Sequence, residues 1–99
     1  MKKIANLVEQ IDEELEGAQN YAEMYVSMKA DGRNSWATTY KEMASDEIRH
    51  AMNLHSFTVE EINKLNAVTT PPQEMLDKWD KAHKQYIERT AIIKQMLTM

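Results

Sequence analysis

Glu14, Glu47 and His50 are the residues of this chain whose types and spacing suit chemistry. Glu47 and His50 stand three apart in "ASDEIRHAM", a stretch with no helix breaker, so on a helix they share one face. Two carboxylates and an imidazole are ligands for iron or manganese, rather than for calcium or a structural zinc. Glu-x-x-His alone is a common pattern on charged helices. Its setting here is less common: all three residues interrupt stripes that are otherwise apolar or aromatic except for the terminal Glu61.

Three segments show the helical period that creates those stripes. The first is predicted over residues 3–30, with Ile4, Leu7, Ile11, Glu14, Ala18, Tyr21, Tyr25 and Met28 recurring at alternating spacings of three and four. "ADGRNS" breaks it: Gly32 suits the residue just past a helix, and Asn34 or Ser35 can cap the next one. The second helix is predicted over 35–65, with the stripe Trp36, Tyr40, Met43, Glu47, His50, Leu54, Phe57 and Glu61. "NAVTTPP" ends it, because Pro71 and Pro72 cannot continue a helix. The third is predicted over 73–97, with Leu76, Trp79, His83, Tyr86, Thr90, Ile93 and Leu97, and Pro72 in its first turn. No strand-like alternation occurs. The expected fold is all-α, one domain over 1–99: a long antiparallel helical hairpin plus a C-terminal helix.

Composition bounds the function. There are 99 residues and no Cys, which excludes disulfides, thiolate metal sites and a cysteine nucleophile. A net charge of −4 argues against nucleic-acid binding through a basic surface. "MKKIANLVEQIDEE" holds no apolar core for a signal peptide, and no stretch reaches the roughly 18 apolar residues of a membrane span. The expectation is a cytoplasmic protein. Eight Met are read as helix packing rather than as ligands.

A buried carboxylate needs a partner, and no Lys or Arg shares the stripes of Glu14 and Glu47. Glu14 lies 16 residues before Ala30 and Glu47 12 residues after Ser35. In an antiparallel hairpin they therefore stand at nearly one level. Two helices bury an apolar stripe on one side only, so a partner chain is expected to complete a four-helix bundle. Di-iron carboxylate bundles use one Glu from each of two helices and Glu-x-x-His from each of the other two. One chain carries half of that set, and a symmetric dimer carries all of it. His83, on the third stripe, reads as a hydrogen-bonded core or interface residue. His55 is about 140° round the helix from His50, facing solvent or another subunit. Trp36, Trp79 and Tyr86 read as packing anchors.

"EELEGAQNYAEMY" followed by "EMASDEIRHA" resembles the ferritin-like superfamily. The rubrerythrin branch has Glu, then Tyr seven residues later, then Glu-x-x-His on the next helix. These fall on Glu14, Tyr21, Glu47 and His50. Encapsulated ferritins are similar in their Glu-Glu-x-Glu and Tyr pattern, matched by Glu13, Glu14, Glu16 and Tyr21. They too are short chains that build a di-iron site between two subunits of a ring-shaped oligomer. The resemblance spans about Ile11 to His55. It implies Glu14, Glu47 and His50 as metal ligands, Glu13 and Glu16 as acidic residues at the iron entry, and Tyr21 just outside the metal. It also implies an encapsulin shell as partner and a nanocompartment as location. No docking tail is recognisable in "KQMLTM". Rubrerythrins also carry a Cys-bound iron domain, whereas this sequence has no Cys, so electrons for a peroxidase cycle would be expected from an outside donor.

The function expected on these grounds is a ferroxidase, with two Fe per subunit pair and Mn as the other candidate metal. Glu47 would bridge, Glu14 would bind terminally, and His50 would offer a neutral ring nitrogen. Dioxygen or peroxide would take the electrons. The rival expectations are a di-iron or di-manganese peroxidase or oxygen scavenger, and a helical oligomerisation protein without chemistry.

Overall fold

The computed structural model describes residues 2–99. Three α-helices make up the fold: α1 (Lys2–Ala30), α2 (Asn34–Val68) and α3 (Gln73–Met96), with no strand among the described residues. No helix is long and apolar enough to cross a membrane.

The turn between α1 and α2 follows from one glycine. Gly32 has φ +76°, a conformation in which any side chain would be strained. There its N–H bonds the Lys29 carbonyl at 3.1 Å, and the Arg33 N–H bonds the Met28 carbonyl at 2.9 Å. This paired arrangement satisfies the last carbonyls of α1 and stops it. The start of α2 differs from the sequence expectation. Asn34 and Ser35 lie inside the helix rather than capping it, and their carbonyls accept the hydroxyls of Thr38 and Thr39. Arg33 occupies the cap position without a side-chain cap bond. α2 also runs three residues past Leu65, until the extended Thr69 and then Pro71 end it. Pro72 stands just outside α3, not in its first turn, and its carbonyl accepts the Leu76 N–H at 3.2 Å.

α1 and α2 pack along their length in opposite directions. Lys3 meets Glu61 at 3.8 Å, Glu14 meets His50 at 3.5 Å, and the rings of Tyr21 and Tyr40 lie 6.2 Å apart. Small residues make the close approach: Ala18, Ala22, Ala44 and Ala51 are fully buried, with Ile11, Leu15, Ile48 and Ile62 beside them.

The buried line on α2 is Ala37, Ala44, Ile48, Ala51, Thr58 and Ile62. The sequence stripe of α2 therefore runs beside the core rather than through it. Tyr40, Met43, Glu47 and Leu54 are half-buried, and Trp36 and Phe57 are 53% exposed. Trp36 is thus not a packing anchor within the chain; Arg33 lies over its ring.

α3 decides which side is covered. Ile93 and Leu97 join Ala22, Ala44 and Ile48, while Trp79 and Tyr86 pack with Ile11, Leu15 and Ala51. Arg89 pairs with Asp12 of α1. By helical periodicity Leu15 and Ile48, which pack toward α3, lie about 100° round their helices from Glu14 and Glu47, and Asp12, which pairs with Arg89, about 160°. α3 therefore leaves the stripe with the carboxylates open.

Candidate metal centre

The structure brings Glu14, Glu47 and His50 together. One ligand atom from each lies within 4.8 Å of the others, the cluster of this kind found among the described residues. His50 Nδ1 is 3.5 Å from Glu14 Oε2 and 3.8 Å from Glu47 Oε1, too long for strong hydrogen bonds. Ligands on opposite sides of one metal, at about 2.1 Å each, are about 4.2 Å apart. The observed spacing needs only a small closing movement of the side chains.

Local structure explains the convergence. Glu47 and His50 share a face because they are one turn apart on α2. Glu14 reaches them because the Gly32 turn fixes the register of α1 against α2. All three are accessible: the side chains of Glu14, Glu47 and His50 are 29%, 26% and 46% exposed. The deep burial anticipated for these carboxylates is absent in the single chain, because α3 packs on the opposite side.

Two carboxylates this close repel each other when both are charged. A hydrogen bond with Glu14 holds a proton on Glu47 and pushes its pKa up to about 7. Burial and the Glu14 charge push the same way, and His50 opposes them. The residues present therefore fit a metal of the iron or manganese type: two carboxylates and one imidazole on one wall, with the other side open to further ligands.

Metal must displace that proton, so binding should depend on pH. Affinity for Mn(II), which does not oxidise readily here, should rise by up to about tenfold per unit as pH approaches 7, then level off. Without metal the sign reverses. Glu47 holds its proton more tightly folded than unfolded, so its contribution to stability is full below 4.5 and lost as pH rises to about 7. Mn(II) titrations at pH 6 and pH 8 check the first trend, and equal affinities would contradict it.

Gly17 belongs to this site, although sequence reading passed over it. A Cβ at Gly17 would stand 3.3 Å from Glu47 Oε2, tighter than an ordinary contact. The missing side chain lets the Glu47 carboxylate lie against α1 one turn beyond Glu14. The available signal was a glycine inside a strong helical pattern, where it costs about 1 kcal/mol against alanine. Gly17→Ala should raise thermal stability by up to about 1 kcal/mol through helix propensity. It should also weaken Mn(II) binding by about tenfold by displacing Glu47. Thermal unfolding and metal titration on one preparation test both halves.

The remaining candidates lie apart. Glu13 and Glu16 are exposed and outside the cluster. Tyr21 is half-buried against Tyr40. His55 does not face solvent: its Nε2 is 2.7 Å from His83 Nδ1, and Tyr86 stacks on it at 4.3 Å. The 140° offset from His50 points it at α3, whose side of α2 periodicity could not identify. No family model, curated protein or solved structure matches this chain.

Proposed function

We propose that the chain is one subunit of a ferritin-like ferroxidase, in which two copies join their open faces and complete a site for two Fe(II). The observation that carries this reading is the Glu14, Glu47 and His50 cluster, within 4.8 Å and on the face that α3 leaves uncovered. Two copies related by a two-fold axis there would supply four carboxylates and two imidazoles, the ligand set of a dimetal bundle. Apolar side chains surround the cluster. Tyr21, Met28, Tyr40, Met43 and Leu54 are half-buried, and Met24, Trp36 and Phe57 are exposed. Burying that rim would supply the association energy and remove water from the carboxylates.

Iron is the substrate: two Fe(II) lose one electron each, and dioxygen takes both electrons with two protons to leave hydrogen peroxide. Glu47 gives up its proton when the cation arrives and spans the two chains' sites. Glu14 binds at the side, and the His50 ring nitrogen presents its lone pair. Glu13 and Glu16, exposed one turn or less away, add negative charge that draws Fe(II) toward the opening.

The test is anaerobic Fe(II) loading followed by dioxygen, with mass measured in solution before and after. The expected result is two iron per dimer and oxidation only where dimers form. A chain that stays monomeric with Fe(II), or a Glu14→Ala variant that oxidises iron like the parent, would refute the proposal. Faster turnover with peroxide and a reductant than with dioxygen would identify a peroxidase instead. Dimers that bind no metal would identify an oligomerisation protein.

A further inference from the structure

Eight residues beyond Glu47 on α2, and about 140° round the helix from His50, His55 faces His83 across the α2–α3 boundary. Their nitrogens are 2.7 Å apart, with the rings tilted by 36°. Among the described residues this is the only side-chain hydrogen bond or ion pair between α2 and α3. Aromatic rings fix the pair: Tyr86 stacks on His55, and Trp79 lies 5.0 Å from it and 5.8 Å from His83. Beyond Trp79 and Tyr86, α3 stands off α1 across a largely apolar cavity of about 760 Å³, so this stretch of α3 is thinly packed. Only nearer its C-terminal end do Ile93 and Leu97 seat it in the core.

We propose that His55 and His83 form an acid-sensitive clasp, which holds the Trp79–Tyr86 stretch of α3 to α2 and lets go when both imidazoles are protonated. Neutral imidazoles satisfy each other as N–H donor and lone-pair acceptor, and one added proton keeps the bond. The second proton leaves two donors and two positive charges face to face. Nothing nearby offsets that charge. One turn away on α2, positions 51, 52, 58 and 59 are Ala, Met, Thr and Val. α3 presents Tyr86, whose hydroxyl burial keeps neutral, and the exposed Asp80, already paired with Lys84 at 3.2 Å. α1 presents Ile11 and Leu15, and its Asp12 is paired with Arg89. Burial and the His83 charge both lower the pKa of His55. Because that pKa is depressed on folding, the clasp is intact above the ordinary histidine value and is lost as pH falls below about 6.5.

The experiment follows Trp79 emission and acrylamide quenching in a Trp36→Phe background from pH 8 to pH 4.5, with far-UV circular dichroism alongside. The expected result is a red shift and increased quenching, with a midpoint below about 6.5 and helix content unchanged. His55→Gln/His83→Gln, which keeps amide hydrogen bonding but cannot gain a proton, should remove the transition. Glu47→Gln should keep it, which separates the clasp from titration at the carboxylates. No Trp79 transition, one that survives the double glutamine variant, or one that coincides with loss of helix would overturn the proposal.

Discussion

Replacing Glu47 with alanine should lower Fe(II) and Mn(II) affinity by at least about 100-fold, the largest effect expected of any single change at the site. Glu47 is the carboxylate whose proton a metal must displace, and it shares the His50 face of α2. Its protonated carboxyl donates a hydrogen bond to Glu14, and it lies 3.8 Å from His50. Removing it leaves one carboxylate and one imidazole per chain, too few for a bridged metal pair. The fold should persist, because the side chain is about a quarter exposed and its loss also relieves the contact between two acids. Glu47→Gln separates charge from shape: it keeps the volume and hydrogen bonding but cannot become an anion. Both variants should lose metal to a similar degree while helix content matches the parent. Anaerobic titration calorimetry checks this. Near-parental affinity in either variant would show that the cluster is an ordinary acid pair on a helix face.

The largest effect on stability should come from Leu15→Ala. Leu15 is 1% exposed and sits where α1, α2 and α3 converge, with Ile11, Ala51, Trp79 and Tyr86 around it. Its buried neighbour across α2, Ala51, is already an alanine, so that side cannot shrink further to fill the space. The deletion should cost about 2–5 kcal/mol. For a domain near 100 residues, each kcal/mol lowers Tm by about 4–8 °C, so the drop should exceed about 10 °C. The change should also loosen the level at which Glu14 is held, one residue away, and so weaken metal binding without touching a ligand. Thermal unfolding followed by circular dichroism measures the first effect. A loss below about 1 kcal/mol would mean that this part of the core collapses around the gap, against the packing described.

Local signals decided much of what was legible in the sequence. Gly32 and the Pro71–Pro72 pair act through their own backbone preferences, so the three helices and their breaks could be read without knowing any contact. The level of Glu14 against Glu47 followed from counting residues to the turn. The small residues of α2 were less legible. Ala37, Ala44 and Ala51 are weakly hydrophobic, so the larger Tyr40, Met43 and Leu54, one to three positions away, dominated the pattern. Close helix approach nevertheless favours the alanines, and the buried line runs through them.

From its residues alone the sequence determined three helices, a tight glycine turn, and three potential metal ligands on one face at one height. Each of these depends on spacing within a helix or on distance from a turn, which short-range geometry sets. Only the tertiary structure decided where α3 lies. That placement leaves Glu14, Glu47 and His50 on the open side, exposes Trp36 and Phe57, and turns His55 inward to His83. The packing of α1 on α2 likewise brings Gly17 against Glu47. These outcomes depend on how whole helix faces compete for the same groove, a choice made by the summed packing of residues far apart in the chain.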